Sequence, residues 1–382
     1  MPRSSANPQV DPANSTLSVT VQSPAKVNLY LHVGAKQPDG YHDVRTILHT
    51  LDLHDTLSIR YTPSPAPASA QAQGVRVTLH ISDAYGRRIM ADKPQDNLIT
   101  KALVLYARCA GVPAGHIHVQ AVKRIPVQAG LGGGSSNAAA ALYGASVLFP
   151  AGVALEELAC ELGSDVAFFL HGGCGYYTQR GDVLHHRLQT TEQPLCLVKP
   201  AAGVSTAQAY ACFDSMHEGK TEESACSMDG LKLEGVQPET ARRETERWET
   251  ARRETAQPER SQRETEQPER SQRETARREE VQPETMLRAS SFFCTRTLLH
   301  NNLTSAALEC CPALQALHKQ FASWRNELPD KRAFLLCGSG SASVLFCESR
   351  EEAQRCAETA AQQGYWSFAG TLSPCGVQVV PL

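Results

Sequence analysis

The stretch from Pro126 to Ala141 constrains this chain most strongly, because a cluster of glycines leads directly into a run of alanines. Glycine permits positive φ angles and lets a ligand approach the backbone closely. Ser135, Ser136 and Asn137 can cap a helix, and alanine is the strongest helix former. This order predicts a loop that opens a helix and directs several backbone N–H groups at one spot, which favours phosphate.

Two common nucleotide-binding signatures do not fit this loop. No lysine lies between Lys123 and Asn137, so the P-loop pattern Gly-x4-Gly-Lys-Ser/Thr fails. The glycine spacing also lacks the Gly-x-Gly-x-x-Gly pattern with an acidic residue about 20 positions later, so a dinucleotide site is disfavoured. Taken alone, the loop is also compatible with a glycine-rich turn before a buried, alanine-rich helix.

Lys26 and Asp165 are charged residues beside apolar sequence. Leu17–Gln22 alternates like a strand and continues into an apolar run that contains Lys26 and Asn28. A buried lysine is costly unless it is paired, although its stem can also carry the ammonium to the surface. Asp165 directly precedes an apolar run, where its carboxylate must be solvated, cap a helix or be paired.

Tyr41 and His42 follow the turn signal Pro38-Asp39-Gly40 and are expected on a loop. An aromatic ring and an imidazole together can stack on a base and hydrogen-bond to it. Ordinary loop residues are the alternative.

Alternation, glycines and prolines predict the remaining elements. The predicted strands are Leu51–Tyr61, Gly74–Ile81, His116–Val122, a strand from Pro194, the two arms of a hairpin across Phe334–Phe346, and Gly376–Leu382. The predicted helices are Ile99–Ala110 with Asp96 or Asn97 as its cap, Ala154–Leu162, Thr297–Leu308 and Glu351–Gln363.

Composition excludes several classes of protein. A formal charge of −3 gives no global attraction for nucleic acid. Met1–Thr16 lacks an apolar core and is predicted to be a disordered lead, not a signal peptide. The uncharged segment Ile125–Leu155 is broken by the glycine loop and by Pro150, which disfavours a membrane span. Thirteen cysteines without a Cys-x2-Cys pair indicate reduced thiols in a cytoplasmic protein.

Val236–Thr285 has a different composition from the rest of the chain. Arg-Glu-Thr recurs every ten residues there, beginning at Arg243, Arg253, Arg263 and Arg273. Mixed Glu and Arg with almost no apolar residues cannot form a core, so 236–285 is predicted to be a low-complexity repeat insertion.

The glycine loop, Pro126-x3-Gly-Leu-Gly-Gly-Gly-Ser-Ser-Asn-Ala-Ala, resembles the phosphate-binding motif of the GHMP small-molecule kinases. Pro-Ala-Lys-Val-Asn-Leu from Pro24 is similar to the opening motif of that family. Gly-Ser-Asp-Val-Ala-Phe-Phe from Gly163 is similar to the segment that carries its catalytic base, although Ser164 and Ala167 depart from the pattern. Gly-Ser-Gly from Gly338 resembles its third motif, and Gly-Tyr-His from Gly40 resembles the branch that phosphorylates 4-diphosphocytidyl-2-C-methyl-D-erythritol.

The resemblance implies a two-domain α+β GHMP kinase fold. Residues 17–192 would form an N-terminal domain like ribosomal protein S5 domain 2. Residues 193–382 would form a ferredoxin-like C-terminal domain, interrupted by the insertion. The implied partners are ATP, Mg²⁺ and a small-molecule substrate, without nucleic acid or membrane, in a monomer or homodimer.

The same resemblance assigns site residues, with Lys26 in the active site and Asp165 as the catalytic base. The implied ATP contacts are Pro126, Val127, Gln128, Ala129, Gly130, Leu131, Gly132, Gly133, Gly134, Ser135, Ser136, Asn97 and Leu98. Lys123, a basic residue just before the loop, is a further expected nucleotide contact. The implied substrate contacts are Asn28, Tyr41, His42, Thr206 and Tyr210, and Ser136 is the candidate for Mg²⁺. Asn302 departs from the family's usual Asn-Asp-Leu and receives no role.

Two alternatives remain at this point. One is a kinase of the same family for another alcohol, such as mevalonate, homoserine or a sugar, and Tyr41-His42 argues against it. The other is a catalytically silent nucleotide-binding protein that uses the insertion as a partner-binding tether. The presence of both Lys26 and Asp165 argues against the silent binder.

Overall fold

The computed structural model describes residues 9–11, 16–64, 74–89, 94–217, 299–327 and 334–380. The predicted insertion at 236–285 lies outside these residues, as does most of the predicted N-terminal lead. Strands and helices alternate in blocks along the described chain, as expected for an α+β protein.

The strands form two sheets in the described residues. They are β1 Gln9–Asp11, β2 Thr16–Lys36, β3 His42–Pro63, β4 Val75–Asp83, β5 Arg88–Ile89, β6 Gly115–Lys123, β7 Cys174–Thr178, β8 Val183–Leu188, β9 Pro194–Lys199, β10 His300–Asn301, β11 Phe334–Leu336, β12 Ser343–Phe346, β13 Trp366–Thr371 and β14 Gln378–Val379. The first sheet has the order β1-β2-β3-β6-β4-β5; in addition, β10 and β14 pair with β2, β7 pairs with β3, and β8 pairs with β7. The second sheet has the order β11-β12-β9-β13.

The helices cover these sheets. They are α1 Leu98–Cys109, α2 Gly133–Leu148, α3 Leu155–Leu162, α4 Val166–His171, α5 Thr206–His217, α6 Thr304–Cys310, α7 Pro312–Glu327 and α8 Arg350–Gln362. Helices α1 to α4 pack on the first sheet in one apolar cluster, where the alanines of α2 and the rings of Phe168 and Phe169 are buried. Helices α5 to α8 contribute to a second cluster on the second sheet.

A third apolar cluster joins the two sheets. Val27 and Leu29 of β2 are buried in it together with Leu197 of β9 and Val344 of β12. Leu131 of the glycine loop belongs to the same cluster. The loop is therefore embedded where the two sheets meet.

Most predicted elements are found in the structure with small shifts at their ends. The predicted helix Thr297–Leu308 is the main exception, because the α-helix begins only at Thr304. His300–Asn301 instead pairs in parallel with Tyr30 and Leu31 of β2. Asn301 donates side-chain hydrogen bonds to the carbonyls of Leu336 and Gly338, and these tertiary contacts hold the segment extended.

Two further predictions change in detail. His42 was expected on a loop, but it is the first residue of β3 and pairs with Lys36. The predicted strand Gly376–Leu382 shortens to Gln378–Val379, with residues 381–382 outside the described part.

The predicted boundary near residue 193 falls between β8 and β9, where the chain passes from the first sheet to the second. Because β10 and β14 return to β2 of the first sheet, the two-domain division of the chain stays a prediction.

His49 on β3 makes the fold sensitive to acid. Its side chain is completely buried, and its Nε2 accepts a hydrogen bond from the backbone N–H of Thr191. Burial lowers the pKa of His49 to about 4, so the folded protein favours the neutral imidazole. The unfolded chain binds this proton near pH 6.5, so the stability is fully present above that pH and falls as the pH drops toward 4.

We expect the free energy of unfolding to fall by about 2 kcal/mol from this group between pH 7.5 and pH 5. Urea titrations across this pH range measure the slope. His49→Gln should flatten the pH dependence, whereas His116→Gln, on an exposed sheet face, should keep the wild-type slope. An unchanged slope in His49→Gln would contradict the assignment.

Candidate active site

The glycine loop between β6 and α2 has a backbone that requires glycine at two positions. Gly130 and Gly132 lie at φ angles of 75° and 71°, in the left-handed region. A Cβ atom on Gly130 would lie 1.8 Å from the carbonyl oxygen of Cys337, which follows β11. The close approach of the two backbones therefore excludes any side chain at position 130.

The loop is hydrogen-bonded to both sheets. The backbone N–H of Lys26 donates to the Leu131 carbonyl over 3.0 Å, and this bond attaches the loop to β2. On the other side, Ala342 N–H donates to the Ala129 carbonyl over 3.1 Å. These bonds fix the loop, so its amides are in place before any ligand arrives.

Helix α2 begins where the loop ends and is not capped by a side chain. Gly132 is its N-cap residue and has no side chain that could accept a hydrogen bond, so the helix start lacks a side-chain cap. Such an end attracts anions through the exposed N–H groups and the helix dipole. Gly133, Gly134 and Ser135 of this turn line the adjacent cavity.

Ser136 differs from Ser135 in its surroundings. It is completely buried, and its hydroxyl accepts a hydrogen bond from Ser23 Oγ over 2.8 Å. It does not line the cavity, whereas Ser135 does. The structure therefore brings Ser135, rather than the expected Ser136, to the place where a ligand would be held.

A buried acid lies beneath the loop. The side chain of Asp55 on β3 is fully buried and accepts hydrogen bonds from Arg124 N and Ile125 N over 2.7 and 2.9 Å. Its other oxygen accepts from Lys123 Nζ and from Asn137 Nδ2. The carboxylate thus binds residues on both sides of the glycine loop. Lys123, a predicted nucleotide contact, forms this ion pair and also lines the cavity.

Lys26 reaches the cavity from the middle of β2. The register of β2 against β3 shifts between Pro24 and Lys26, and again between Asn28 and Tyr30. Such bulges redirect side chains. The Lys26 ammonium donates to Asn28 Oδ1 over 2.7 Å, and Asn28 Nδ2 donates to Thr46 Oγ1 over 2.8 Å. This chain of hydrogen bonds fixes the position of the buried ammonium.

Asp165 lies opposite Lys26. The two charges approach to 3.8 Å between Lys26 Nζ and Asp165 Oδ2. Asp165 precedes α4 but makes no capping hydrogen bond with its side chain, so the helix-cap interpretation is not what positions it. The Asp165 side chain is one-third exposed, while that of Lys26 is 7% exposed. An acid facing the cavity is thus held against a buried cation.

Asn97 and Leu98 line the same cavity at the start of α1. Asn97 caps this helix by accepting a hydrogen bond from Ile99 N over 2.9 Å. The capping interpretation is therefore correct for Asn97, and the residue also faces the cavity. Leu98 lies 3.9 Å from the position of a Cβ on Gly134, beside the first turn of α2.

The turn between β11 and β12 closes the cavity from the second sheet. Ser339 Oγ lies 3.0 Å from Thr206 Oγ1 at the start of α5. Asn301 holds this turn through the Gly338 carbonyl.

Asn302 accepts from Val33 N and donates to Val33 O, a pair of bonds that needs an amide. An aspartate, as in the usual family pattern, would lack the donor.

Tyr41 and His42 lie outside the cavity lining, on its rim. Tyr41 is 55% exposed, and the Arg180 guanidinium stacks on its ring at 3.8 Å. The His42 ring lies 5.1 Å from the ring of Tyr210, which does line the cavity. Burial, together with the negative charge of Asp165, raises the pKa of Tyr210 to about 12.

These residues surround a cavity of about 710 Å³. Apart from Ser136, Tyr41 and His42, all predicted site residues line it. The lining also includes residues that were not predicted as site residues, among them Thr46, Asn137, Arg180, Gly338 and Ser339. The sequence identifies the glycine turn at Gly338 as a motif. No pattern in the sequence indicates a site role for Arg180.

No cluster of three or more His, Cys, Asp or Glu side chains in the described residues is arranged to hold a metal ion. Mg²⁺ needs few protein ligands when it binds together with substrate phosphates, because it keeps several waters. Ser135 and Asp165 supply oxygen atoms to the cavity, and this donor set is compatible with Mg²⁺.

The part of the chain that the structure describes contains no helix suited to crossing a membrane, and its eleven cysteines are free thiols.

Comparisons with known proteins show which proteins this chain is similar to. Residues 97–173 match the family profile of the GHMP kinases N terminal domain. The 4-diphosphocytidyl-2-C-methyl-D-erythritol kinase of Bacillus pumilus is 38% identical over 236 residues, which cover 58% of this chain and 76% of the relative. The enzyme of the same name from Pelotomaculum thermopropionicum is 38% identical over 217 residues, covering 56% and 70%.

A solved structure has the same fold. The crystal structure of a 4-(cytidine 5'-diphospho)-2C-methyl-D-erythritol kinase matches with a TM-score of 0.60 and 25% sequence identity. The match covers 93% of this chain and 99% of that chain. The expected GHMP kinase architecture is therefore confirmed.

The requirement for glycine at position 130 can be tested against a neighbouring glycine. Gly130→Ala should destabilise the fold by about 1–3 kcal/mol, because the new Cβ collides with the Cys337 carbonyl at a positive φ. Gly134→Ala should be neutral or stabilising, since its Cβ meets nothing closer than 3.9 Å. Thermal unfolding of the two variants measures the difference, and equal effects would rule out the close approach.

Proposed function

Because the chain belongs to the 4-diphosphocytidyl-2-C-methyl-D-erythritol kinase family of GHMP kinases, we propose that it phosphorylates the 2-hydroxyl of 4-diphosphocytidyl-2-C-methyl-D-erythritol with ATP. This reaction belongs to the non-mevalonate route to isoprenoid precursors. The observation that carries the proposal is the approach of Lys26 Nζ to within 3.8 Å of Asp165 Oδ2 in the cavity bordered by the glycine loop.

Asp165 acts as the general base in this proposal. Its carboxylate accepts the proton of the acceptor hydroxyl as that oxygen forms its bond to the γ-phosphorus, and ADP leaves with the bridging oxygen. The 3.8 Å separation from Lys26 keeps a positive charge beside the base. Lys26 also opposes the negative charge that develops on the transferred group.

The glycine loop binds the phosphates. The uncapped first turn of α2 presents N–H groups at residues 133–135, and the loop bonds to both sheets fix these groups before binding. Preorganised donors of this kind stabilise developing charge without further rearrangement. Lys123, Asn97 and Leu98 complete the nucleotide side of the cavity. Mg²⁺, held by Ser135, would neutralise phosphate charge when bound.

The acceptor lies on the other side of Lys26. Asn28 and Thr206 line the cavity there. Tyr210 also lines the cavity, and its ring lies beside the ring of His42. We assign the rim formed by Tyr41, His42 and Tyr210 to the base of the acceptor. Aromatic faces suit stacking on a base, and the imidazole suits hydrogen bonding to it.

ADP release from the full-length protein tests the proposed activity. The assay contains Mg²⁺-ATP and, in separate reactions, 4-diphosphocytidyl-2-C-methyl-D-erythritol, mevalonate, homoserine or galactose. We expect turnover with the cytidyl acceptor alone. Turnover of another alcohol would reject the acceptor assignment, and ATP binding without turnover of any acceptor would reject the kinase assignment.

The roles of Asp165 and Lys26 predict two inactive variants. Asp165→Asn should lower kcat by about 10²–10⁴-fold, because the amide cannot accept the proton. Lys26→Met, which keeps the apolar stem, should lower kcat by about 10²–10³-fold through loss of charge stabilisation. Steady-state kinetics and binding of an ATP analogue separate loss of chemistry from loss of nucleotide affinity.

Asp83→Asn is the matched control for these variants. Asp83 is the last residue of β4, and its carboxylate pairs with Arg87 outside the cavity. This control should retain wild-type kcat. A folded Asp165→Asn variant with wild-type turnover would exclude Asp165 as the base.

A further inference from the structure

The imidazole of His42 is held by an acid from another element. Its Nε2 atom lies 2.6 Å from Oδ1 of Asp214 on α5, and only 5% of the His42 side chain is exposed. The second oxygen of Asp214 accepts a hydrogen bond from Lys36 Nζ over 2.8 Å. One carboxylate therefore links the end of β2 and the start of β3 to α5.

Helix α5 encloses the imidazole from one face. Tyr210 and Asp214 are four residues apart, so both side chains project from the same side of the helix. The ring of Tyr210 lies 5.1 Å from the His42 ring, and the ring of Phe213 meets it edge-on at 6.2 Å. Packing and the hydrogen bond to Asp214 together leave the imidazole one orientation.

The contact with Asp214 decides which nitrogen of His42 carries the proton. A carboxylate only accepts hydrogen bonds, so Nε2 must be the protonated nitrogen. In the neutral imidazole the other nitrogen, Nδ1, then has a lone pair and accepts a hydrogen bond. Burial alone would raise the pKa of Asp214, but hydrogen bonds from Lys36 and His42 outweigh it and lower that pKa. The carboxylate thus stays an acceptor at neutral pH.

We propose that Asp214 is a positioning residue for base specificity: it fixes His42 with Nε2 protonated, so that Nδ1 selects a base that offers an amino group. Cytosine presents a donor at N4, whereas uracil presents the O4 acceptor at the same place. An Nδ1 lone pair binds the first and repels the second. This inference rests on the proposed function, because it takes the rim beside Tyr210 as the subsite for the base.

Binding of cytidine diphosphate and uridine diphosphate tests the proposal without any turnover. The two ligands share ribose and diphosphate, so the ratio of their dissociation constants isolates the base. The wild-type protein should prefer cytidine diphosphate. In Asp214→Asn the preference should fall by about tenfold, the value of one hydrogen bond, because the amide can donate to Nε2 and reverse the tautomer. An unchanged ratio would overturn the proposal.

Asp43→Asn is the matched control. Asp43 follows His42 on β3 and pairs with Arg45 at 3.7 Å on the exposed side of the strand. The Asp43→Asn substitution removes one negative charge next to His42 in the sequence without changing a contact of the imidazole. The ratio of the two dissociation constants should therefore remain that of the wild type. A purely structural effect of Asp214→Asn would weaken both ligands equally, and that result would also overturn the proposal.

A second measurement uses the wild-type protein and does not depend on whether an Asp214 variant folds. Nitrogen-15 NMR of histidine-labelled wild-type protein, with His42 assigned by comparison with His42→Gln, reports the tautomer directly. We expect the proton on Nε2 alone, and a proton on Nδ1, whether in the other neutral tautomer or in the imidazolium, would contradict the proposal. Failure of the kinase assay would leave these binding and NMR results intact, so the two failures are distinguishable.

Discussion

The buried carboxylate of Asp55 fixes both ends of the glycine loop. Its donors are Arg124 N and Ile125 N before the loop, and Asn137 Nδ2 after it, with the Lys123 ammonium balancing the charge. Removing one member of a buried ion pair typically costs on the order of 3–5 kcal/mol, because the other charge is left without its partner. The loop therefore keeps its shape through a polar centre beneath it and not through apolar packing alone.

The same region of β2 connects this polar centre to the pair formed by Lys26 and Asp165. Ser23 joins the Asp55 network through Asn137, and Lys26, three residues further, faces Asp165. The Lys26 amide also holds the loop at Leu131. Because one short segment contacts the glycine loop with its backbone and Asp165 with its side chain, a single strand sets the distance between the loop and this acid.

The sequence predicted the parts of the site that depend on local geometry. Positive φ at Gly130 and Gly132 follows from the glycine cluster. The cost of burying a charge left Lys26 either paired or reaching the surface, and only the family resemblance brought Lys26 and Asp165 into one site, where their charged atoms lie 3.8 Å apart. The alternating pattern of β3 places Asp55 on the buried side, but alternation does not reveal the partners, which come from residues about 70 to 80 positions away. The burial of Ser136, the extended segment at Asn301 and the position of Arg180 likewise depend on long-range contacts.

The two kinds of neighbour around the glycines have different consequences for how the sequence can vary. At Gly144 in α2, an added Cβ would lie 2.6 Å from the Ile59 side chain and 3.2 Å from that of Val21, and a smaller residue at position 59 removes the closest contact. At Gly130 the obstacle is the backbone oxygen of Cys337, which every amino acid possesses. Substitutions at Gly144 can therefore be rescued by a second mutation in the sheet, whereas a genetic search for suppressors of a change at Gly130 should return only revertants.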